Sequence, residues 1–166
     1  MMADVAADGG TPPIEVAGGV PADLLARLAA DPLAAHLGIT LTEVRPGYAR
    51  ATMDVGPALL NALGTAHGGA TMALLDVVHA AVSNSHGTVA VAQDVHTEFL
   101  AAGRPGDRLE AEGVEVHRTN RTAVYRIEAR AQDDRLVATA LARVFRTDRS
   151  WSDEPSSDVP PAGDAA

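Results

Sequence analysis

Cysteine and lysine are both absent from the 166 residues, and aromatic side chains make up only 3% of them. Without cysteine there are no disulfides, no thiolate metal ligands and no thiol nucleophile. With so few aromatics, the core must be built from Ala, Val and Leu. No apolar run approaches the roughly 18–20 residues needed to span a bilayer. The first residues, MMADVAADGG, hold neither a basic nor an apolar stretch, so no secretory signal is expected and the chain is expected to be cytoplasmic. No P-loop, dinucleotide glycine motif or G-x-S-x-G elbow occurs. His67, His79, His86, His96 and His117 show no paired ligand spacing, so no metal site is expected.

All 13 basic residues are arginine. Arginine grips phosphate bidentately, which matters for a phosphorylated ligand; the plainer reading is codon bias in a GC-rich genome. The net charge of −9 sits mostly at the ends. Residues 1–20 carry three acids and no base, and residues 148–166 carry five acids and Arg149. The ends thus supply −7, leaving −2 for residues 21–147. Nucleic acid is therefore not an expected partner.

At this length one domain with a real core is expected. Residues 1–20, rich in Gly, Ala, Pro and Asp, are expected to be a disordered tail, and 148–166 a flexible acidic one. Between them, 21–147 form the domain. Asp23 is a candidate cap for a short helix through Ala30, and a second turn of helix runs from Pro32 to Leu37, stopped by Gly38. Residues 38–45 and 48–55 read as strands joined at Arg45-Pro46-Gly47. Further strand-like runs cover about 88–100, 107–118, 121–132 and 135–147. Gly113 shifts the alternation in the second of these and is a candidate bulge.

The chain is organised around 61–86, NALGTAHGGATMALLDVVHAAVSNSH. A glycine-rich loop ends at His67-Gly68-Gly69. From Ala70 to Val82 only Thr71, Asp76 and His79 are not apolar, which predicts a core helix covered on all sides. Burial would make Asp76 costly to ionise and tune it as a base, or else mark it as a paired structural carboxylate. The fold class that follows is α+β: a curled, mostly antiparallel sheet of about six strands wrapped around one long helix.

Gly68 and Gly69 stand where the loop becomes helix. There the unpaired N–H groups and the positive end of the helix dipole could stabilise an oxyanion, or the glycines could simply make a tight turn. Asp76 lies eight residues beyond Gly68, roughly 12 Å along the axis at 1.5 Å per residue. One carbonyl could not easily meet both groups of one chain, so joint action requires two chains facing each other. His79 and Ser83 follow Asp76 by three and seven residues; they could line the same cleft or be satisfied core polars.

The composite Asn61, Gly64, His67-Gly68-Gly69 and Asp76 resembles the signature of the hotdog-fold acyl-CoA thioesterases, and most closely that of the PaaI-like (phenylacetic acid degradation) subgroup. Asn84-Ser85, Phe99-Leu100, Gly106-Asp107 and 121–125 add to the resemblance, which covers about 33–147. It implies Asp76 as base or nucleophile and the Gly68 N–H as oxyanion donor. Asn61 and His67 would position the thioester and water. Gly69, His79 and Ser83 would line the substrate site, and Asn120, Arg121 and Arg118 would lie near the coenzyme A phosphates. It also implies a homo-oligomer, a dimer of dimers, with coenzyme A as part of the substrate rather than a cofactor. Relatives carry a Ser or Thr on the strand after the helix; the nearest match here is Ala92. The expected activity is hydrolysis of a small aryl-acyl (phenylacetyl-like) or medium-chain acyl-CoA. The alternatives are a hotdog dehydratase or hydratase with His79 or His67 as base, and a non-catalytic acyl-CoA-binding protein.

Overall fold

The computed structural model describes residues 14–16 and 18–153. Its elements run β1 (Glu15–Val16), α1 (Ala22–Ala29), α2 (Pro32–Leu37), β2 (Ile39–Arg45), β3 (Tyr48–Asp54), α3 (Gly68–Asn84), β4 (Thr88–Phe99), β5 (Arg108–Arg118), β6 (Thr122–Ala131) and β7 (Leu136–Ser150). They form one seven-stranded sheet in the order β1-β2-β3-β5-β6-β7-β4. Every pairing is antiparallel except β1 with β2. The seventh strand, β1, falls inside the segment expected to be a tail. The expected disorder of 1–13 and the far end of the acidic tail, 154–166, lie outside the described residues. At the C-terminal side β7 runs three residues past Thr147, and a 3-10 turn follows at Trp151–Asp153.

Local chemistry sets the boundaries. Asp31 caps α2 by accepting from the Leu33 and Ala34 N–H groups at 2.8 and 3.0 Å, and Gly38 ends the helix in the left-handed region. Asp23 does not cap α1: Pro21 holds that position, and Asp23 sits in the first turn. Gly113 is no bulge either, since it pairs in register with Ala49 and Ile127; the register shift lies between Glu115 and His117. Gly113 is required by closeness, because a Cβ there would sit 2.7 Å from Val78 Cγ1 on α3.

The sheet wraps α3 and buries Leu74, Leu75, Val78, Ala81 and Val82 against Ala and Val side chains of the inner sheet face. The cover is incomplete. Gly69, Met72, Ala73, Asp76, Val77 and Ala80 recur at three- and four-residue intervals along one stripe, and none is buried. Asp76 is exposed, which corrects the expectation of a helix enclosed on all sides. A single curled sheet encloses most of a helix and leaves open the face opposite its centre. Among the described residues no helix is long and apolar enough to cross a membrane.

Candidate active site

The loop before α3 is built by Asn61. Its side-chain oxygen accepts from the Leu63 and Thr65 N–H groups at 2.9 and 3.2 Å, and its amide donates to Thr65 Oγ1 at 2.9 Å. Gly64 makes the turn in the left-handed region, which glycine enters without a Cβ clash. The Ala66 N–H donates to the Gly103 carbonyl at 2.9 Å and the His67 N–H to that of Leu59 at 2.7 Å, so the start of α3 is fixed from two sides.

His67 is the N-cap of α3. Its Nδ1 accepts from the Gly69 N–H at 2.9 Å, and its carbonyl accepts from Ala70 and Thr71. This bond requires Nδ1 to be unprotonated, which leaves Nε2–H as the ring donor. The cap thus satisfies Gly69 and leaves Gly68. Among the described residues the Gly68 N–H, at the positive end of a 17-residue helix, has no acceptor.

Beside it lies a cavity of about 320 Å³ lined by Asn61, Gly68, Thr71, Phe99, Leu100 and Val137. The Phe99 ring lies 3.4 Å from where a Cβ on Gly68 would be, so it walls the cavity beside that residue.

Asp76 stands two turns along α3, on the open stripe. Among the described residues it has no hydrogen bond and no ion pair. His79 and Ser83 are 2% and 3% exposed. Ser83 donates to the Ala80 carbonyl, and neither residue bonds to Asp76 or lines the cavity beside Gly68. His79 packs against Tyr125, ring centroids 5.9 Å apart, with Nε2 unpaired. Burial pushes its pKa below the ordinary value against the upward pull of Asp76.

Asn120 and Arg121 lie in the turn between β5 and β6. They line an open polar cleft of about 560 Å³ shared with His86, Arg146 and Arg149. Arg121 pairs with Asp148 at 2.9 Å, and Arg118 with Glu115 at 3.2 Å. The cleft adjoins the C-terminal end of α3, roughly 25 Å of helix from Gly68. One protomer therefore brings together Asn61, His67, Gly68 and Gly69, and holds Asp76 and the Asn120–Arg121 cleft apart from them. Arg146 escaped sequence reasoning: it is 8% exposed, donates to the Thr119 carbonyl at 2.6 Å and shapes that cleft. Its place in β7, among alternating residues, distinguished it from no other arginine.

Asn84 and Ser85, part of the motif resemblance, lock the other end of α3. Asn84 Oδ1 accepts from the Ala90 N–H at 2.8 Å and from the Trp151 indole at 2.7 Å. Ser85 Oγ accepts from the Gly47 N–H at 2.9 Å. Ala92 lies on β4 next to Gln93, the extra residue at the register shift between Ala92 and Asp94.

A family profile for the thioesterase superfamily matches residues 63–138. Acyl-coenzyme A thioesterase PaaI of Escherichia coli is 37% identical over 116 residues, spanning 70% of this chain and 83% of that protein. The solved structure of the E. coli PaaI protein from the phenylacetic acid degradation operon superposes with a TM-score of 0.74 at 33% identity, covering 77% of this chain and 93% of that one. A Streptococcus mutans protein solved with acetyl CoA superposes at 0.64 and 31% identity, covering 66% and 88%. With its curled sheet, its long helix and the Asn61-to-Asp76 motif, the chain belongs to the thioesterase superfamily, among the PaaI-like hotdog thioesterases.

Proposed function

We propose that this thioesterase hydrolyses small aryl-acyl or medium-chain acyl-CoA at a site shared by two protomers. The Gly68 N–H of one would polarise the thioester carbonyl while Asp76 of the other acts as base or nucleophile. The observation that carries this reading is the pair of unused groups on α3: a free N–H at its first residue and a free carboxylate on its open stripe. They point to one chemistry and are too far apart on one chain to share a carbonyl. In the E. coli relative the activity is that of an acyl-CoA thioesterase, and the S. mutans relative holds acetyl CoA.

The second protomer has a place to dock. Among the described residues β4 ends the sheet order, so beyond Ala90, whose N–H is taken by Asn84, its outer edge meets no further strand and is a template for a second copy. A second pairing surface, fitting a dimer of dimers, is the outer sheet face, where Val91, Leu141 and Phe145 are 50%, 53% and 37% exposed. Asn120 and Arg121, in the polar cleft, would face the coenzyme A phosphates, with Arg146 supporting them. Of the two histidines that a hydratase reaction could use as base, His79 is buried away from the cavity beside Gly68 and His67 spends its Nδ1 on the Gly69 N–H, which favours the thioesterase reading.

Asp76→Asn is expected to lower CoA release by about 10²–10⁴-fold, the span of a lost general base. Thiol release is measured alongside the oligomer mass in solution. Full turnover in a folded Asp76→Asn oligomer would refute the assignment.

A further inference from the structure

A second cavity, of about 530 Å³, lies on the flank of α3 away from Gly68. Ile14, Leu28, Ala34, Ile39, Leu41 and Val77 form much of its wall. Among the described residues its lining includes no charged or aromatic side chain, and Thr40 is the one hydroxyl. Ala34, Ile39 and Leu41 are each 6% exposed, so its floor belongs to the core. It opens to solvent at Ala35 and Gly38, and its volume falls within the ~300–1,000 Å³ of small-molecule sites. The cavity exists because the facing residues are small: Ala29, Ala34, Ala35 and Gly38 come from α1, α2 and the cap of α2.

Its position ties it to the chemistry. Val77, in its wall, follows Asp76 directly on α3, about 100° round the helix and 1.5 Å along it. Both belong to the stripe that the sheet leaves open.

We infer that this cavity holds the acyl tail of the substrate, and that the tail is an unbranched aliphatic chain of medium length rather than an aryl group. This rests on the reading of the chain as an acyl-CoA thioesterase with Asp76 at the reacting carbonyl. An aliphatic lining offers burial to each methylene, at ~0.8 kcal/mol per group in transfer experiments, and offers an aryl ring no stacking partner. It presents no charged partner to a carboxylated acyl group. Ala35, exposed at the rim, and Thr40, half-buried, decide how much of the volume a tail can use.

The test uses non-hydrolysable thioethers, so that binding is read without turnover. S-octyl-CoA is expected to bind the full-length protein at least about tenfold tighter than S-ethyl-CoA by calorimetry, with S-benzyl-CoA nearer the ethyl compound. Ala35→Phe and Thr40→Phe, both at positions with room on the solvent side, are expected to cut that preference about tenfold. Equal binding of the octyl and ethyl compounds, or a preference untouched by both variants, overturns the inference. If the octyl preference emerges only after deletion of residues 1–13, that segment is the occupant and the inference also falls. Octyl preference without hydrolysis of any acyl-CoA would sink the thioesterase reading and leave the cavity assignment standing. Hydrolysis without octyl preference would do the reverse.

Discussion

A single N–H separates Gly68 from every other residue of α3. Gly68 is the first helical residue, where proline is accepted, and His67 before it is extended at ψ 132°, as a residue preceding proline must be. Gly68→Pro therefore removes the donor and keeps the helix, and its Cβ meets Phe99 at ordinary contact distance. The expected result is a fall in kcat of about 10²–10³, against a small effect of Gly68→Ala, which keeps the N–H. Equal rates for the two variants would remove Gly68 from the mechanism. At the neighbouring position, His67→Ala loses the bond to the Gly69 N–H and should cost about 1 kcal/mol in urea unfolding, most of it recovered by His67→Asn.

His79 and Asp107 titrate in the same direction. Burial pushes Asp107 up, but hydrogen bonds from the Arg104 N–H, Arg135 and Gln132 outweigh it and hold the carboxyl below its ordinary value. His79 is also held below its ordinary value, by burial. For both, the unfolded chain binds protons more readily, so stability is fully present above the unfolded pKa and is lost as pH falls. His79 acts first, below about 6.5, and Asp107 below about 3.9. Thermal melts from pH 8 to 3 should show two stages of loss, and His79→Leu should flatten the upper one.

At the scale of elements, the packing of α3 on β5 sets the tightest constraint. Val78 and Val82 reach Gly113 so closely that a Cβ at 113 would lie 2.7 and 3.2 Å from their Cγ1 atoms. Gly113→Val should overpack this contact and cost about 1–3 kcal/mol, read as a lower urea midpoint with an unchanged m-value. The sequence marks Gly113 as a break in alternation, and the natural reading is a bulge. The approach of a helix to a strand thirty residues later leaves no periodic trace. The same limit applies to Asp76. Thirteen residues of near-continuous apolarity predict burial all round, because the stripe that the sheet leaves uncovered carries Met72, Ala73, Val77 and Ala80, the same kind of side chain as the buried faces.

For the whole molecule, a shared site makes a sharp prediction. Asp76→Asn and Gly68→Pro proteins, each inactive, would be unfolded together and refolded as a mixture. Random pairing makes half the dimers mixed. Each mixed dimer holds one site with both defects and one with neither, so about a quarter of wild-type activity should return. No recovery from a mixture shown to contain mixed dimers would place both groups in the same protomer's site, against the helix geometry.

The order of the elements, the long helix, the hairpin at Gly47 and the loop-to-helix motif could be read from the chain. Each depends on contacts between near neighbours: turn glycines, alternation, and caps within four residues. The short parallel strand at Glu15–Val16 could not, because two residues carry no period and are held only by β2. Nor could the sequence tell that Asn61 spends its amide on its own loop, that His67 consumes one helix donor and spares the next, or that α3 keeps an open face. Those outcomes depend on which groups remain unpaired once a sheet has curled around a helix. That count is made only when distant segments meet.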